Sequence, residues 1–186
     1  MLLIAPVEAQ GWDFSDMRSG WGEFLLGVAG GIAIHEMGHV VIAKSKGYDV
    51  SLRGTSIVYP NAHPSDSDAL EVSSAGFQAQ WIASEILFLK HGLLKPEKKM
   101  SNISAGIVFS HIAISAAYLT FLKDHTDGDV YMMSRATGNS RNAIALSAAI
   151  PAVLDAWRLF GNDVPEWVPT VSLASKGVMM TYAWTF

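Results

Sequence analysis

The sequence predicts a mainly α-helical, membrane-embedded bundle of about four apolar helices, with a small β-hairpin after the first helix and a second hairpin at the C-terminus. Three observations lead there. Half of the 186 residues are apolar and only 16% are charged, against about 25% in an average soluble domain. The mean hydropathy of +0.25 points the same way. Finally, four segments are apolar over the length of a long helix, while the stretches between them hold Pro, Ser, Asp and Lys. A chain of this length makes a single domain, here 1–186.

The opening residues MLLIAPVEAQ resemble the tail of a secretory signal peptide, an apolar run ending in Val-Glu-Ala without a basic segment before it. Residues 1–20 therefore read either as a leader remnant or as an apolar N-terminus. The first helix, Phe24–Ala43, has His35, Glu36 and His39 as its only ionisable groups. Val50–Tyr59, β-branched and apolar around Gly54, suits a hairpin, and Pro60–Asp68 reads as a polar loop. The second helix, Ala75–Leu94, contains Glu85 and leads into the basic turn Lys95–Lys99. The third, Ser101–Leu122, carries no charged residue, and its length meets the roughly 20 residues a bilayer crossing requires. Lys123–Gly138 is a polar connector with Asp124, Asp127 and Asp129; the fourth helix, Asn142–Phe160, includes Pro151 and Asp155. In the last segment, 164–186, Ser175-Lys176-Gly177 resembles a turn and Tyr182, Trp184 and Phe186 alternate as on a strand face.

Charge and composition narrow the function. The net charge is −4 and the basic residues are scattered, so a nucleic-acid partner is not expected. With no cysteine in the chain, disulfides, thiolate ligands and cysteine nucleophiles are excluded. Any metal must be held by His, Asp or Glu. The lysines at 90, 95, 98 and 99 would place their loop in the cytoplasm, whereas a cleaved leader would place it outside, so topology stays open.

The chemistry is carried by His35-Glu36-Met37-Gly38-His39. On a helix, residues four apart share a face, so both imidazoles can reach one Zn²⁺ at about 2.0–2.1 Å. Glu36, beside the first histidine, is placed to take a proton from a metal-activated water as its oxygen attacks a carbonyl carbon. The flanking residues Ile32, Ala33, Ile34, Val40, Val41 and Ile42 are apolar. Burying two histidines and a glutamate among them is costly unless they have a partner. Gly27, Gly30, Gly31 and Gly38 have the spacing of close helix–helix approach.

The run from Gly31 to Lys44 resembles the first active-site helix of the site-2-protease-like intramembrane metallopeptidases. That resemblance implies a zinc-dependent endopeptidase, integral to a membrane such as the bacterial inner membrane, acting on a peptide or membrane-protein substrate amid lipid. It also implies a small sheet after the first helix and a later Asp-Gly whose aspartate is the third ligand. Asp127-Gly128 matches that pair, although the family's preceding Asn and prolines are absent from FLKDHTDGDV. Asp127 ranks first as third ligand and Asp129 second; His125, Glu85 and Asp155 are the other candidates. Glu85 would instead complete a soluble or peripheral gluzincin-type peptidase, and a non-catalytic metal-binding membrane protein is the remaining alternative. His111 lies on one helical stripe with Ser104, Ser115 and Tyr118, a polar seam that would reach the metal as a hydrogen-bond donor or rest in the core.

Overall fold

The computed structural model describes residues 12, 15, 20–53, 56–60, 62–94 and 99–186. Most of the possible leader 1–20, the turn at Gly54 and most of the basic turn Lys95–Lys99 lie outside these residues. The described chain contains α1 (Trp21–Ser45), β1 (Ser51–Arg53), β2 (Ser56–Val58), α2 (Asp66–Leu94), α3 (Asn102–Thr120), α4 (Asp129–Thr137), α5 (Arg141–Phe160) and α6 (Trp167–Thr185). It is mainly helical, and α1, α3 and α5 are long and apolar enough to cross a membrane.

Helix α1 packs on both α2 and α3. It buries Phe24, Gly27, Gly31, His35, His39 and Ala43, a stripe in steps of three and four that keeps one face inward. Its other sides expose Leu25, Leu26, Ile32, Met37 and Val41, a surface consistent with a membrane protein. The glycines permit backbone contact: a Cβ on Gly27 would collide with the Ile103 carbonyl, and one on Gly38 with the Ala75 carbonyl. Gly30 faces open space and has no such part.

The hairpin after α1 is antiparallel, pairing Ser51 with Val58, Leu52 with Ile57 and Arg53 with Ser56. Its base is tied to α2 by a polar clasp. Lys46 pairs with Asp68 and with Glu71 at 2.8 Å, and the Tyr48 hydroxyl donates to Asp68 at 2.7 Å. Those two donors hold the Asp68 carboxyl below its ordinary value.

Three expectations need correction. Helix α2 begins at Asp66, not Ala75, because the polar residues of the expected loop serve as its N-terminus: Ser65 Oγ accepts from the Asp68 amide at 3.2 Å, and Asp66 and Asp68 lie in the first turn. The connector Lys123–Gly138 contains α4, which buries Val130, Met133 and Ala136 and ends at Gly138 in the left-handed conformation, φ 70°. The expected C-terminal hairpin is instead the single helix α6, so there are six helices among the described residues rather than about four.

The reason lies in what α6 buries. Val168, Ser172, Lys176 and Ala183 face inward at helical spacing, and Pro169 sits in the first turn, where a missing N–H costs nothing. Lys176, only 2% exposed, donates to Ser84 at 3.0 Å, to Glu85 at 2.6 Å and to Asp155 at 2.6 Å. Arg158 joins both carboxylates, and Ser172 donates to Asp155 at 2.7 Å. This network of two carboxylates and two cations fastens α2, α5 and α6 together. Apolar packing completes the bundle, with Leu70, Phe77, Trp81, Val130 and Met133 in one cluster and Trp12, Phe24, Val108 and Leu159 in another.

Candidate metal centre

The inward stripe of α1 brings His35 and His39 against α2, with both rings buried and their centroids 4.9 Å apart. Each ring is oriented through Nδ1. For His35 the partner is Gln80 Oε1 at 3.1 Å. The Gln80 amide is itself fixed, since its Nε2 donates to the Gly31 carbonyl at 3.1 Å and to Ser110 Oγ at 3.2 Å. Its oxygen therefore faces the imidazole and must accept. His39 Nδ1 donates to the Val72 carbonyl at 2.7 Å. With both Nδ1 atoms carrying the proton, each neutral ring presents a bare Nε2 lone pair, as a metal-binding histidine does.

Asp129, the first residue of α4, closes the group. Its Oδ2 stands 3.0 Å from His35 Nε2 and its Oδ1 3.3 Å from His39 Nε2. A carboxylate facing two imidazole Nε2 atoms at these distances needs either a proton on the rings or a cation between the three groups. Donor atoms about 2.0–2.2 Å from a tetrahedral Zn²⁺ are about 3.3–3.6 Å from one another, close to the spacings found. His35, His39 and Asp129 can therefore hold a metal ion.

Further residues complete the surroundings. Tyr118, on α3, donates from its hydroxyl to Asp129 Oδ2 at 3.0 Å and accepts from the Asp129 amide at 3.2 Å. Gly76, on α2, abuts the Nε2 atoms of both histidines, and a Cβ there would overlap them. Glu36 is half-buried and lines a cleft of about 480 Å³ shared with His39, Asp129, Tyr59, Tyr118 and the strand residues Ile57 and Val58. The hairpin thus forms one wall of the cleft, and α4 with the turn before it forms another.

The remaining candidates separate cleanly. Asp127, ranked first from the sequence, borders the cleft but is exposed and stands outside the ligand group; Asp129, ranked second, takes that place. The reason is local: Gly128 caps α4, and the helix carries residue 129 inward while 127 remains in the exposed turn. His125 is exposed on the same rim. Glu85 and Asp155 belong to the Lys176–Arg158 network, which leaves neither for the metal. Of the polar seam, Tyr118 reaches Asp129, while His111 and Ser115 are fully buried and have no hydrogen-bond partner among the described residues. His111 lies 3.7 Å from Asp155, on the side of the ion network.

The sequence reading missed Gln80, Gly76 and Tyr59. A glycine within a long apolar helix was the one available signal, and it pointed to packing in general. The Gly76 contact has a direct consequence. Gly76→Ala favours the helix by about 1 kcal/mol, yet it is expected to weaken zinc binding about 10–100-fold, the range seen when the shell around a metal site is disturbed. Competition against a chelator checks it, with circular dichroism reporting that the helix is intact. Comparison with family models, curated proteins and solved structures finds no match to this chain.

Proposed function

We propose that this chain is a zinc-dependent endopeptidase of the site-2-protease-like kind, cutting peptide bonds within or beside a bacterial inner membrane. One observation carries the reading: two oriented imidazoles and a carboxylate converge, and two of the three, His39 and Asp129, line a cleft together with Glu36. A zinc ion held there would polarise a carbonyl and lower the pKa of a water toward neutrality. His35 and His39 are kept in the neutral, Nε2-bare tautomer by Gln80 and Val72. Glu36 accepts the water's proton at its carboxylate and can return it to the departing amine. Tyr118 fixes the orientation of Asp129.

Two features favour an endopeptidase. The cleft is walled by strand residues of the hairpin and by α4, and an extended peptide can lie beside such a strand. Among the described lining residues there is no Lys or Arg, so nothing there would hold the terminal carboxylate of a carboxypeptidase substrate. Three apolar helices around the site support a membrane setting, with lipid and membrane-protein segments as partners.

The test compares wild type with Glu36→Gln, both zinc-loaded in detergent, against a quenched-fluorescent peptide library. Zinc content should be unchanged and turnover should fall by about 10²-fold or more, since the substitution keeps shape but removes the proton acceptor. Zinc uptake with no cleavage by the wild type would favour the non-catalytic metal protein.

A further inference from the structure

Hydrolysis at the proposed centre needs one group that neither the zinc ligands nor Glu36 supply: a donor for the carbonyl oxygen that gains negative charge as water attacks. The cleft offers few. Besides the ligand His39, the hydrogen-bonding side chains that line it are Tyr48, Tyr59, Ser73, Tyr118 and His125. Three of these donors are already used: Tyr48 donates to Asp68 at 2.7 Å, Ser73 to the Ala69 carbonyl at 2.6 Å and Tyr118 to Asp129 at 3.0 Å. His125 is exposed at the rim. Tyr59 is half-buried in the wall, directly after β2. Its backbone carbonyl is anchored by the Ala62 amide at 3.2 Å. No described residue takes its hydroxyl proton.

We propose that Tyr59 is the oxyanion donor of this site, a catalytic residue whose phenol O–H hydrogen-bonds the scissile carbonyl oxygen. The inference rests on the endopeptidase reading. In the step, the water oxygen bonds to the carbonyl carbon, the C=O π pair moves to the oxygen, Glu36 receives the water's proton and Tyr59 keeps its own while donating the hydrogen bond. Burial, and then the charges of Asp129 and Glu36, raise the Tyr59 phenol above its ordinary value. The ring lines the same cleft as the ligand carboxylate Asp129 and the base Glu36, and the phenol remains a protonated donor at neutral pH.

The experiment uses the full chain, zinc-loaded in detergent micelles, and two probes. A dipeptidyl phosphonate presents oxygens in the tetrahedral arrangement of the attacked carbon. A small thiol such as 2-mercaptoethanol binds zinc through sulfur and needs no donor. Tyr59→Phe should retain zinc, bind the thiol as wild type does, and lose about 10²-fold in phosphonate affinity, the scale of one lost oxyanion donor. On any peptide cleaved, kcat should fall by a like factor with KM little changed, and His125→Ala should alter none of these. Unchanged phosphonate binding in Tyr59→Phe, or equal loss for both probes, overturns the assignment. Wild-type protein that takes up zinc but binds neither probe overturns the peptidase reading and Tyr59's role with it.

Discussion

Asp129→Ala is expected to strip zinc from the purified protein, while Asp127→Ala leaves it in place. The two aspartates are two positions apart on either side of Gly128, so composition and local charge are almost matched between the variants. Geometry separates them. Asp129 Oδ2 and Oδ1 stand 3.0 and 3.3 Å from the two Nε2 atoms, and Tyr118 holds that carboxylate through its hydroxyl. Asp127 is exposed in the turn. Zinc binding in small protein sites is worth about 10–16 kcal/mol, shared among the ligands. Losing one of three protein ligands then costs several kcal/mol, a fall of roughly 10²–10³-fold in affinity. His35→Ala should match Asp129→Ala. Stoichiometry measured after dialysis against a weak chelator decides the matter. Zinc retained in Asp129→Ala and lost in Asp127→Ala would restore the ligand suggested by the Asp-Gly resemblance.

The ranking of these two aspartates shows where the sequence was readable and where it was not. The pairing of His35 with His39 was legible because helical periodicity alone decides which residues share a face. The hairpin after α1 and the three apolar helices were legible for the same local reasons. The third member of the group, Asp129 of α4, lies 94 residues along the chain from His35. Its arrival depends on how α4 packs against α2, where Val130 and Met133 join Phe77 and Leu70. Nothing local to FLKDHTDGDV encodes that docking. Gln80 was hidden for a related reason: one polar side chain in a long helix gains meaning only when the Gly31 carbonyl and Ser110 are seen to fix it. The C-terminus was misread because Tyr182, Trp184 and Phe186 alternate as in a strand, whereas the period that matters runs through Val168, Ser172 and Lys176 toward buried carboxylates. Local pattern lost there to a tertiary ion pair.

That ion pair sets the second large effect. Lys176→Met is expected to destabilise the protein by about 3–5 kcal/mol, the cost of removing one partner from a buried charge network. For a chain of this size that corresponds to a fall in Tm of roughly 6–20 °C. The network consists of Glu85 and Asp155 against Arg158 and Lys176, so it is formally neutral, and the substitution leaves one negative charge in excess. Asp155 is fully buried and has no access to water. Arg158 lies over the Phe88 ring, 3.8 Å from its centroid, and is already shared between both carboxylates, so it cannot absorb the excess. Burial in an apolar surround makes the uncompensated charge more costly still. Adding Asp155→Asn should recover most of the loss, because the Asn oxygen can accept from Ser172 while its NH2 donates to the Ser84 hydroxyl that Lys176 no longer occupies, and neutrality returns through Glu85 and Arg158. Zinc affinity should change little in either variant, since neither residue touches the metal group. Thermal unfolding of the two single variants and the double variant in one detergent measures the coupling. Additive losses would show that Lys176 and Asp155 act independently and that α6 is held by its apolar face alone.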